Sequence, residues 1–78
     1  MHRLVLYSRP GCHLCDDMKA TIERVQRRVV FAVEEVDISL DPELERRYGQ
    51  EIPVLMIDGR KAAKHRLSEA ELARKLGR

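Results

Sequence analysis

Apolar and polar positions along the chain alternate between two periods, and the changes of period mark the elements. Leu4-Val5-Leu6-Tyr7 is a continuous apolar run, as expected of a strand covered on both faces. Ser8-Arg9-Pro10-Gly11 interrupts it with turn residues. Apolar residues then recur at Leu14, Met18, Ile22, Val25 and Val29, the spacing of one helix face. Asp16 and Asp17 early in that helix and Arg24, Arg27 and Arg28 late in it suit the helix dipole. Ala32 to Ile38 predicts a second strand, with Val36 and Ile38 on one face and Asp37 on the other. Asp41-Pro42 supplies an N-cap and a first-turn proline for a short helix that carries Leu44 and Tyr48 and stops at Gly49. Val54-Leu55-Met56-Ile57 is the most apolar strand, and Asp58-Gly59 is a type I′ hairpin signal. Arg60 to His65 would form the return strand, polar and lysine-bearing as a sheet edge tends to be. Ser68-Glu69-Ala70-Glu71 is a capping box flanked by the staple pair Leu67 and Leu72, and its helix runs to about Gly77.

The order β-α-β-α-β-β-α predicts an α/β fold: two parallel crossovers, then a hairpin, giving a four-stranded mixed sheet with helices on its faces. With 78 residues, a single domain over residues 1–78 with a thin core is expected.

Composition narrows the function classes. The net charge is only +2 and the chain has one Phe and two Tyr, so neither a basic stripe nor stacking platforms point to nucleic acid. No apolar stretch approaches the roughly 18 residues that a membrane span requires. Met1-His2-Arg3 leads straight into a strand without a signal-peptide pattern. A cytoplasmic location, no membrane association and a monomer are therefore expected.

The chain has two cysteines, Cys12 and Cys15, at the mouth of the first helix. In a reducing compartment a lone CxxC is more often catalytic or metal-binding than a structural staple. A helix N-terminus favours the thiolate, the reactive form, so Cys12 reads as the attacking thiol, assisted by Arg9 and His13 and opposed by Asp16. Cys15 reads as the resolving thiol, partly shielded beneath it. Leu14 and Tyr48 read as core; Tyr7 fits either the core or the site wall. A zinc half-site is the rival, but His2, His13 and His65 lack finger-type spacing, and no metal or resident cofactor is expected. An Fe–S or soft-metal carrier using the same cysteines is the alternative function.

With these residues in place, the chain resembles a glutaredoxin of the thioredoxin fold, close to the short divergent proteins that open with a YSRPGCHLC-type segment. The likeness rests on the element order, the Cys12-His13-Leu14-Cys15 motif after the first strand, and Ile52-Pro53-Val54 entering the third strand. It implies thiol–disulfide oxidoreductase activity and a part in cell redox homeostasis, with Cys12 as nucleophile and Cys15 as resolving cysteine. It implies further that Pro53 is a cis-proline, that the Ile52 backbone pairs with the thiol substrate, and that Arg9 meets an anionic group. His13 joins these as a substrate-side candidate. The partners implied are a protein or small-molecule disulfide and an electron donor, either glutathione or a thioredoxin-reductase-type system. Two positions depart from the family pattern. Ala63-Lys64 stands where a Gly-Gly turn lets glutathione approach the backbone, and His13-Leu14 replaces Pro-Tyr. Both point away from glutathione as the specific substrate and leave the dithiol chemistry untouched.

Overall fold

The computed structural model describes residues 1–77. Its elements run β1 (His2–Ser8), α1 (His13–Gln26), β2 (Phe31–Asp37), a short 3₁₀ turn (Ile38–Leu40), α2 (Pro42–Tyr48), β3 (Val54–Ile57), β4 (Arg60–Lys64) and α3 (Glu69–Lys75). The strands form one mixed sheet in the order β2-β1-β3-β4, with β1 parallel to β2 and the other two pairs antiparallel.

The β-α-β-α-β-β-α order matches the hydrophobic pattern, but only one of the two expected parallel crossovers forms. Helix length decides this. The 14 residues of α1 rise about 21 Å, close to the roughly 23 Å of a seven-residue strand, so α1 carries the chain back to the start of the sheet. The seven residues of α2 rise only about 10 Å. The chain therefore enters β3 near the end where β2 finished, and β3 runs antiparallel.

Leu4 and Leu6 of β1 are sealed against α1 and α3 in a core that includes Met18, Ile22, Val25, Leu55 and Leu72. On the other face the 3₁₀ turn and α2 provide most of the cover, and a smaller cluster forms from Ile38, Tyr48 and Val54 with Cys15 of α1 and Ile52 of the loop after α2. Tyr7 joins that cluster by stacking on Tyr48, with ring centroids 4.6 Å apart. Val5 and Tyr7 stay half-buried, so β1 is fully covered on one face and not, as its apolar run suggested, on both. Val29 lies beyond the last helical residue yet remains buried, its N–H donating to the Val25 carbonyl. Leu14, expected in the core, is half-buried, because it faces a groove between α1 and the loop before α3.

The hairpin also departs from an unbroken ladder. Leu55 pairs with Ala63 and Met56 with Lys61, leaving Ala62 as an extra residue in β4, a β-bulge of the kind common at sheet edges. Asp58 and Gly59 both have positive φ, as a type I′ turn requires. Asp58 further accepts the backbone N–H of Arg3 and pairs with His2 Nδ1 at 2.6 Å.

Candidate functional site

Gly11, with φ +80°, lets the chain leave β1 and turn into α1 with Cys12 at the N-cap position. An L side chain there would be strained. Cys12 Sγ accepts the backbone N–H of Cys15 at 3.1 Å. The sulfur thus takes the place of the usual oxygen cap and satisfies one of the free donors of the first turn. The Cα atoms of Cys12 and Cys15 are 5.2 Å apart and the two sulfurs are joined as a disulfide, within the separation a disulfide spans. The two positions differ in access: Cys12 is half-buried, whereas Cys15 is only 3% exposed.

The Ile52–Pro53 bond is cis. Ile52 and Val54 share a buried cluster with Cys15, and Cys12 packs against it, so the proline segment and the cysteine motif meet at one end of the sheet. The Ile52 N–H donates to the Tyr48 carbonyl at 3.0 Å, which anchors this segment to the end of α2. His13 is exposed as the first residue of α1. Arg9 is half-buried and its guanidinium forms an ion pair with Glu45 of α2. An anionic substrate at Arg9 therefore has to compete with an internal carboxylate.

The structure adds neighbours that spacing along the chain did not reveal. Cys15 opens onto a cleft of about 310 Å³ whose walls include Ser8, Asp16, Glu35 and Asp37. The buried Ser8 hydroxyl donates to Glu35 at 3.0 Å, and Lys19 pairs with the same carboxylate at 3.1 Å. Hydrogen bonding to Glu35, reinforced by its charge, raises the Lys19 pKa above the ordinary lysine value. Only the β1–β2 register, which aligns Leu6 with Glu35 and Ser8 with Asp37, brings these groups to Cys15. Among the described residues, no group of three or more His, Cys, Asp or Glu side chains is placed to hold a metal ion, and no helix is long and apolar enough to cross a membrane.

On the opposite side, Lys64, His65 and Arg66 leave β4 beside the proline. The His65 N–H donates to the Pro53 carbonyl at 2.9 Å while His65 itself holds φ +66°. The left-handed residue after β4 is His65, which directly follows the Ala63-Lys64 pair that stands in place of the family's Gly-Gly turn. Leu14, His65 and Arg66 line one groove of about 300 Å³.

A mixed four-stranded sheet, a cis-proline leading into its third strand and a CxxC at the head of the first helix together define a thioredoxin-fold protein with a dithiol centre. The chain belongs to the glutaredoxin-like family: the Glutaredoxin-like domain (DUF836) matches residues 3–77. Among solved structures, it is similar to a structural-genomics target protein from X. campestris, at 33% identity over 95% of each chain and a TM-score of 0.79. It is also similar to protein Ne2328 from Nitrosomonas europaea, at 29% identity, 95% and 89% coverage and a TM-score of 0.80. Desulfothioredoxin from Desulfovibrio vulgaris Hildenborough, solved in its reduced form, shares the fold at 24% identity, 97% and 79% coverage and a TM-score of 0.74. A glutaredoxin-like domain with Cys12 and Cys15 at disulfide distance fits a thiol redox role.

Proposed function

We propose that this protein is a thiol–disulfide oxidoreductase working through a dithiol mechanism. The observation that carries the reading is the asymmetry of the pair. Cys12 caps the helix, half-exposed, and accepts an N–H; Cys15 lies buried one turn on, within disulfide reach. A thiolate accepts the Cys15 N–H more strongly than a thiol does, so the cap favours the reactive form of Cys12. The Cys12 thiolate attacks one sulfur of the substrate disulfide. That S–S bond breaks, a mixed disulfide forms at Cys12, and the leaving thiolate takes a proton from solvent. Cys15 then loses its proton and attacks Cys12 Sγ, releasing the second substrate thiol and leaving the Cys12–Cys15 disulfide. Two electrons have passed from the protein to the substrate. A thiol or dithiol reductant, glutathione or a thioredoxin-reductase-type donor, returns them.

Ile52 and Pro53 form the edge on which the substrate docks, with His13 and Arg9 at its rim. Glutathione specificity is weak in this reading. Ala63 and Lys64 bring side chains to the turn where glycines would leave the backbone open, and Arg9 is engaged by Glu45. The Fe–S or metal-carrier alternative requires donors beyond the two cysteines, and a full dithiol pair suits intramolecular resolution, where effective concentration is high.

The test is a pair of serine variants assayed on a protein disulfide. Cys15→Ser should accumulate a mixed disulfide at Cys12, visible by mass spectrometry, and turnover should stop. Cys12→Ser should not react at all. Near-normal turnover of Cys15→Ser with glutathione as reductant would show a monothiol mechanism and overturn the proposal.

A further inference from the structure

Charge is distributed unevenly around the cysteines. Between Arg60 and Arg66 the chain carries Arg60, Lys61, Lys64, His65 and Arg66 with no acidic residue among them. All five are exposed along the β4 edge and the loop after it. Elsewhere many cations are matched, Arg9 by Glu45, Lys19 by Glu35, Arg24 and Arg28 by Glu69, and Arg46 by Glu43, and those without an ion pair among the described residues, such as Arg3, Arg27 and Arg47, are not consecutive along one edge. In the basic stretch only Lys61 forms an ion pair among the described residues, with Glu51 at 2.6 Å. Across the groove stand Asp17 and Glu71, and the Glu71 carboxylate is turned back to accept the Ser68 N–H. The far edge of the sheet has the opposite character, with Glu34, Glu35 and Asp37 on β2.

The unmatched cations are not spread over a remote face. The His65 N–H is bonded to the Pro53 carbonyl, and His65 and Arg66 share a groove with Leu14 of the cysteine motif. A polypeptide that reaches Cys12 over the Ile52–Pro53 edge passes beside Lys64, His65 and Arg66. We propose that the preferred substrate is a disulfide within an acidic polypeptide segment, whose carboxylates meet Lys64 and Arg66 while its disulfide reaches Cys12. This rests on the dithiol reading above and specifies its substrate class. Complementary charge of this kind acts mainly on encounter rate and weakens as salt screens it.

The experiment uses the full chain, reduced and freed of reductant, with three short oxidised peptides of equal length. Each has one intramolecular disulfide, flanked by glutamates, glutamines or lysines. Single-turnover reduction is followed by stopped flow. At low salt the acidic peptide should react about tenfold or more faster than the basic one, and the gap should close toward unity near 0.5 M NaCl, roughly a 4 Å screening length. In the double variant Lys64→Glu, Arg66→Glu the ratio of acidic to basic rates should fall below one. Equal wild-type rates for the three peptides at low salt would overturn the substrate assignment while leaving the dithiol mechanism standing. Failure of the reduced protein to reduce any of the three would overturn both. The salt dependence and peptide ratio of the wild type decide the matter even if the double variant does not fold.

Discussion

His65 holds a left-handed backbone conformation, φ +66°, with a full side chain. For an L residue that conformation costs roughly 1–2 kcal/mol. The cost is tolerated because the His65 N–H reaches the Pro53 carbonyl at 2.9 Å and closes the end of the β4 hairpin over the proline. Glycine adopts the same φ without the clash but loses more freedom on folding. His65→Gly should therefore stabilise the protein by roughly 0.5–1 kcal/mol, read as a higher urea midpoint at unchanged slope. An unchanged or lower midpoint would mean that the imidazole makes a compensating contribution. The same chemistry operates at Gly11, where glycine is already present and the chain turns to place Cys12 at the helix mouth. At Arg9 the side chain type was readable from the sequence, but its partner was not, because Glu45 lies on another element.

Among the elements, α3 is a short helix fastened by its cap. Seven residues are too few to hold a helix without tertiary support. Two features fasten it: the reciprocal Ser68–Glu71 capping box at 3.1 Å in each direction, and the burial of Leu67, Leu72 and Leu76 in the main core. Ser68→Ala should cost about 1 kcal/mol in global stability, measured by chemical denaturation. A loss near zero would show that apolar docking alone holds α3. The capping box was visible in the sequence because it needs only four consecutive residues. The direction of β3 was not, because it depends on how far α2 carries the chain, and α2 is too short for a parallel return.

Across the whole molecule, three carboxylates that accept hydrogen bonds in the folded state are held below their ordinary range. The Arg3 backbone N–H, and then His2, hold Asp58 below the usual carboxylate range. Lys61 does the same for Glu51, and the Ser68 backbone N–H for Glu71. A depressed folded-state pKa contributes stability above the unfolded value, and that stability is lost as pH falls through the folded value. The urea midpoint should therefore hold near neutrality and decline below about pH 4. The difference between wild type and Asp58→Asn should shrink over that same acidic interval; a difference constant down to pH 2 would refute the assignment. What the sequence determined by itself was local: strand and helix periods, caps, the type I′ turn, the cysteine spacing and the proline step, each written within a few adjacent residues. The resemblance to glutaredoxins that those features carry implied that Cys12, Cys15, Ile52 and Pro53 come together. Only the tertiary structure decided the antiparallel entry of β3, the bulge at Ala62, the half-exposure of Leu14, the Ser8–Glu35 pair beside Cys15 and the unmatched cations beside Pro53. Those features depend on strand register and on which charges face one another across the sheet, and both are set by contacts between residues far apart in the chain.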